Sequence, residues 1–178
     1  SLYLQYIQGL DAQQAGLVLV SQPVVQALFS PLAGRLSDRV QPRLVATAGM
    51  GLTVIGLLLL SRFGPSTAIP YIVASLIVLG LGFAFFASPN TNAVMASVER
   101  AQLGVASGIL ATMRLTGQML SMALAMLVLA LTLGKEAITP ERYPLFLSST
   151  HTFFFLLAGI CFAGIFASLA RGKTRRRT

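Results

Sequence analysis

Long apolar runs broken by short polar interruptions govern this chain. Ala12 to Gly34 gives 23 residues without a charge, and Leu44 to Ser61 gives another 18. Between them lies G-R-L-S-D-R-V-Q-P-R, Gly34 to Arg43, which puts Arg35, Asp38, Arg39 and Arg43 into ten positions. Continued along the chain, the pattern predicts apolar helices over about 14–33, 44–61, 68–98, 103–133 and 146–170. A helix of roughly 20 mostly apolar residues crosses the hydrocarbon core of a bilayer. Residues 1–10 are apolar with a polar stripe of Gln5, Gln8 and the hydroxyls of Tyr3 and Tyr6. As helix they rise only about 15 Å, so they read as the end of a helix that begins before Ser1, closed in water by Asp11. Pro89 predicts a break or bend in the third full span. The fold class is all-α membrane protein: a partial first helix plus five transmembrane helices.

Composition removes the competing classes. The chain is 55% hydrophobic and 10% charged, where a soluble domain carries about 25% charged residues. Its net charge of +8 does not indicate nucleic acid, because the basic residues gather at the edges of the apolar runs. Alternating the spans puts Arg35, Arg39, Arg43, Arg100 and the five basic residues of the tail 171–178 on one side. Arg62, Lys135 and Arg142 fall on the other, with Arg114 between. Nine against three makes the first side cytoplasmic by the positive-inside rule. Cys161 is a single cysteine inside an apolar run, read as a small core residue. No nucleophile–base pair, phosphate loop or metal-ligand spacing is visible, so the chain is not read as an enzyme and no cofactor is expected.

The lettering of the charged interruption carries a family resemblance. G-R-L-S-D-R-x-x-x-R resembles the cytoplasmic loop motif of the major facilitator superfamily. Two further stretches, G-L-G-F-A-F-F-A-S-P-N and L-G-V-A-S-G-I-L-A-T-M-R-L-T-G-Q, are similar to helices of the 14-helix multidrug:proton antiporters of the EmrB/QacA type. The opening L-Y-L-Q-Y-I-Q-G-L-D-A-Q-Q-A-G-L fits the same region. The chain departs from the loop motif at Gln41, where glycine is usual, and at Pro42. The resemblance implies a half-bundle of that superfamily: residues 1–170 as the C-terminal transmembrane half, the N-terminal half absent, and 171–178 as a basic cytoplasmic tail. It also implies residence in a plasma membrane, bacterial and inner. Gly34, Asp38, Arg39 and Arg43 would form a conformational latch holding the two halves together.

Individual residues leave two readings each. Gly34 is a plain loop glycine or a point of close helix approach. Asp38 is a solvated charge beside Arg35 and Arg39, or a carboxylate near a helix N-terminus, where the helix dipole favours it. Arg114 is an intramembrane charge, which is costly unless paired or hydrated; a cavity or ion-pair role stands against snorkelling. Gln5, Gln22, Gln26, Asn90 and Gln118 are possible cavity-lining residues or interhelical hydrogen-bond partners. Gly104 and Gly108 form a GxxxG pair, read as a site of close helix packing. His151 is expected near the outer end of its helix as a hydrogen-bonded bystander.

Asp11, Asp38, Glu99, Glu136 and Glu141 all fall in loops or at helix ends. A proton-coupled carrier needs a titratable group inside the membrane, so a coupling carboxylate would have to lie outside this chain. The expected function is export of lipophilic drugs in exchange for protons, with membrane lipids, a small lipophilic substrate and the N-terminal half as partners. Two alternatives stand beside it: a membrane scaffold or assembly subunit, and a nutrient uniporter or symporter of the same superfamily.

Overall fold

In a computed structural model of the protein, residues 1–134 and 142–170 are described. Six α-helices occur among them: α1 (Leu2–Tyr6), α2 (Ala12–Arg39), α3 (Pro42–Leu60), α4 (Ile69–Ala96), α5 (Leu103–Leu133) and α6 (Tyr143–Ala170), with a 3₁₀ turn at Arg100–Gln102 before α5. Five helices, α2 to α6, are long and apolar enough to cross a membrane. Large apolar side chains cover their outward faces, with Leu28 70% and Leu131 77% exposed. Water does not tolerate so continuous an apolar exterior, and a bilayer does.

The order of packing follows from where the glycines are. The middle of the bundle is α4, flanked by α2 and α3; α6 lies against the far side of α3, and α5 meets chiefly α6. Two helix positions are about 200° apart around the axis, so Gly80 and Gly82 face opposite neighbours. A Cβ on Gly80 would come within 2.6 Å of the Gln22 carbonyl oxygen on α2, and one on Gly82 within 2.5 Å of Thr53 Oγ1 on α3. A Cβ on Gly56 of α3 would reach to 2.7 Å from Leu79 Cγ. Without a hydrophobic force between helices in lipid, close backbone approach of this kind is what holds spans together.

At one end of the bundle the α1–α2 and α3–α4 links are tied into α6. Tyr3 Oη donates to the Gly64 carbonyl at 2.7 Å, and Gln8 Nε2 donates to Tyr3 Oη at 3.0 Å and to the Thr67 carbonyl at 2.8 Å. His151 Nε2 on α6 bonds the Phe63 carbonyl at 2.5 Å. Phe63 is 5% exposed and stacks on Tyr3, with Tyr71 and Phe154 edge-on. This end holds the apolar core, with Leu4, Leu57, Leu60, Ile72, Leu76, Phe146 and Leu147 buried around Phe63. At the opposite end Thr47 Oγ1 and Ser168 Oγ lie 3.0 Å apart and join α3 to α6.

The spans match the hydrophobic pattern, but the charged interruption is not a loop. The helix expected to end at Ala33 continues to Arg39, and Ser37 is buried with its hydroxyl donating to the Gly34 carbonyl at 2.7 Å. Nothing between Gly34 and Arg39 breaks a helix, and Arg39 in the last turn suits the dipole. Pro42 sets the boundary. Its ring disfavours helical geometry at the residue before it, so Val40 and Gln41 leave the helical region, and Pro42 itself opens α3 at its first position. A second difference is that the break expected at Pro89 is absent: Pro89 is buried inside a helix that stays continuous from Ile69 to Ala96. A third is the start of α2. Asp11 Oδ1 accepts from Gln14 N at 2.7 Å while Asp11 N donates to Gln14 Oε1 at 3.2 Å, a capping box that satisfies two otherwise orphan donors.

Candidate functional site

One helix face in this bundle is polar, aligned and open. Ser107, Ala111, Arg114, Gln118, Ser121 and Ala125 recur on α5 at spacings of four, three, four, three and four. At about 100° per residue these positions fall inside an arc of roughly 80°. The two ends of the stripe show where it points. Ser107 Oγ donates weakly to Met95 Sδ on α4 at 3.9 Å. Ala125 lines a cavity of about 350 Å³ together with Leu4, Leu19, Leu76, Phe146 and Phe153. The stripe therefore looks toward the interior of the bundle, while between its ends α5 stands off from its neighbours. Every residue from Ala111 to Leu120 is exposed, Arg114 and Gln118 among them.

The attachment of α5 explains this geometry. Beyond Ala125 it is fastened to α6 by Val128, which is buried, and by the hydroxyl pair Thr132 Oγ1 and Ser149 Oγ. Near Leu103 it is held by the 3₁₀ turn. Among the described residues no glycine on α5 makes a close approach: a Cβ on Gly104, Gly108 or Gly117 would meet nothing within 4 Å. Among the described residues, the GxxxG pair expected to mark close packing thus faces no helix within that distance. The glycines that do lock helices together are Gly49, Gly56, Gly80 and Gly82. Their signal in the sequence was weak because they face partners far apart along the chain.

The other expected site residues are dispersed. Gln5 is exposed on α1, and it is Gln8 that makes the hydrogen bonds there. Gln22 and Gln26 are half-buried on one face of α2, and the Gln22 carbonyl lies against Gly80 of α4. Asn90 on α4 is half-buried and engaged with a neighbour. Gly34 brings α2 close to α4, with Ser88 Oγ 3.2 Å and Asn92 Nδ2 3.8 Å from where its Cβ would be. Asp38 and Arg39 are exposed on the last turn of α2. Arg43, half-buried, donates from Nε to Gln41 Oε1 at 3.0 Å, and both Asp38 and Arg43 have further interactions inside the chain. The tail 171–178 and the residues Lys135, Glu136 and Glu141 lie outside the described residues. Among the described residues no group of three or more metal-ligating side chains occurs.

A bundle of apolar spans with glycine-packed helices and one polar interior face has recognisable relatives. The sequence profile described as Major Facilitator Superfamily matches residues 1–177. The chain belongs to the Major Facilitator Superfamily. It is 37% identical over 127 residues to the uncharacterized transporter YebQ of Escherichia coli, an alignment covering 71% of this chain and 28% of that protein. It is 25% identical over 163 residues to the riboflavin transporter RibZ of Clostridioides difficile, covering 92% of this chain and 36% of RibZ. It is 30% identical over 128 residues to the multidrug resistance protein Stp of Mycobacterium tuberculosis, covering 72% of this chain and 24% of Stp. The chain thus spans about a third or less of each of these superfamily members. No solved structure matches it. Family membership and the apolar helices make it an integral membrane protein.

Proposed function

We propose that residues 1–170 form the C-terminal transmembrane half of a drug exporter of the superfamily. It would exchange lipophilic compounds for protons by alternating access, with 171–178 as a basic cytoplasmic tail in a bacterial inner membrane. The observation that carries this reading is the inward stripe of α5, where Arg114 and Gln118 stand exposed, unscreened by any of the described helices. Such carriers bind substrate near the midplane between two repeats, and an open polar face in a greasy half-bundle is what one wall of that cavity requires. Apolar side chains beside the stripe, Leu110 and Leu124 among them, give the wall a surface suited to lipophilic molecules. The resistance and efflux names of relatives such as Stp point the same way.

The test is ethidium efflux from cells expressing the whole transporter in a background without other pumps. The expected result is export that Arg114→Ala reduces at least tenfold at unchanged membrane abundance. Ethidium accumulation identical with and without the transporter would overturn the reading. A nutrient carrier is the second reading, favoured by the match to a riboflavin transporter; riboflavin movement in the same cells, without ethidium export, would select it.

A further inference from the structure

The polar stripe of α5 ends at Ala125, on the wall of the cavity of about 350 Å³. That wall lies about 16 Å along α5 from Arg114. Rings crowd it. Tyr3, Phe63, Phe154 and Phe153 follow one another at centroid distances of 4.9, 6.4 and 5.6 Å, and all four line the cavity together with Phe146. Leu19 of α2, Leu76 of α4 and Leu129 of α5 close other sides. The hydroxyls of Tyr3, Ser149 and Thr150 reach the wall already committed. Tyr3 Oη donates to the Gly64 carbonyl at 2.7 Å, Ser149 Oγ to the Leu145 carbonyl at 2.7 Å, and Thr150 Oγ1 to the Phe146 carbonyl at 2.9 Å. No side chain on the wall is charged. A buried water needs two to four polar partners and is poorly served here, while leaving such a space empty forfeits packing contacts.

We propose that this cavity is a binding subsite for an uncharged aromatic group, separate from the wall that carries Arg114 and Gln118. Its volume is that of a small-molecule pocket, roughly 300–1,000 Å³. Aromatic rings favour the offset and edge-on contacts that a ring-lined wall supplies. An acyl chain would fill the space without using those contacts, and a charged group would enter it with no counter-charge. The inference rests on the proposed export of lipophilic compounds for its ligand class and narrows that class: the compound carries an aromatic portion free of charge. Ala125, shared by the stripe and the cavity, joins the two sites.

Benzophenone, an uncharged diaryl ketone that inserts into nearby C–H bonds on irradiation, probes the site in the purified whole transporter in lipid nanodiscs. Peptide mass spectrometry is expected to find labelling within residues 143–154 that saturates and that excess naphthalene displaces. Ala125→Phe and Leu19→Phe add volume to the cavity from different helices, and each lowers that labelling about fivefold or more; either suffices should the other fail to fold. Ala123→Phe, at an exposed position of α5, leaves it unchanged. Labelling undiminished by naphthalene and by both cavity variants, or shared equally with the exposed Phe155, Phe162 and Phe166, overturns the proposal, because the probe is then only dissolved in lipid. So does a folded transporter whose cavity takes no label, since an acyl chain or another segment of the transporter then fills it. The readout is binding and not export, so a transporter that labels as expected but moves no ethidium refutes the export reading alone.

Discussion

Gly49 of α3 and Gly82 of α4 meet backbone to backbone. A Cβ on Gly49 would lie 2.8 Å from the Gly82 carbonyl oxygen, and one on Gly82 would lie 3.0 Å from that of Gly49. Neither backbone can yield without moving a whole helix. Gly49→Ala, whose methyl would also meet Phe86 N at 2.5 Å, is expected to destabilise the bundle by about 1–3 kcal/mol, as overpacking does. Gly159→Ala on the exposed side of α6, where nothing lies within 4 Å, should leave the melting temperature within about 1 °C of the parent, the range of a surface change below 0.5 kcal/mol. Parallel melting curves in one detergent check both.

Phe63 holds three helices at once through Tyr3, Tyr71 and Phe154, with ring centroids 4.9, 6.4 and 6.4 Å away. Phe63→Ala is expected to cost about 3–5 kcal/mol, the range for emptying a buried aromatic site. Protease accessibility of the 61–68 link should rise in step.

His151 tests the neighbouring bond separately. His151→Leu leaves the Phe63 carbonyl without its donor, a loss of about 1–3 kcal/mol. His151→Gln, whose amide nitrogen can take the place of Nε2, is expected to recover most of it. Equal melting of the Leu and Gln variants would show that the bond adds nothing.

The membrane orientation expected from the basic residues can be read by cysteine labelling. With Cys161→Ser as background, a cysteine at Ser66 should react with a membrane-impermeant maleimide added to intact cells. A cysteine at Val40 should react only after permeabilisation. The reverse pattern would invert the assignment made from nine basic residues against three.

The Gly34–Arg43 segment has its own functional prediction. If it acts as a latch between halves, Asp38→Asn slows export by the proposed exporter at unchanged insertion. Initial efflux rate normalised to membrane abundance is the measurement, and an unchanged rate would remove Asp38 from the mechanism.

The spans were legible in the sequence because a bilayer imposes length and apolarity on each helix independently of its neighbours. Their ends were less so. Charges at Arg35 and Asp38 marked the water boundary, but water does not end a helix; Pro42 does, and α2 runs five residues past Gly34, to Arg39, before Pro42 stops it. The site was legible in part. Arg114 stood out as an isolated charge and Gln118 as a polar residue inside a span, but their place on one stripe of α5 emerged only with the helix. Which glycines lock helices and which stay open was not legible, since Gly82 and Gly104 differ only in what lies across from them. Gln8 was hidden for the same reason, as its partners are at Tyr3 and Thr67, one near and one far along the chain.

The two-residue link of Val40 and Gln41 has a kinematic consequence. Three Cα steps separate Arg39 from Pro42, so the facing ends of α2 and α3 can never be more than about 11 Å apart. Both helices are also wedged against α4 through Gly80, Gly82 and Gly49. Any rocking of this bundle must therefore carry α2, α3 and α4 as one lever.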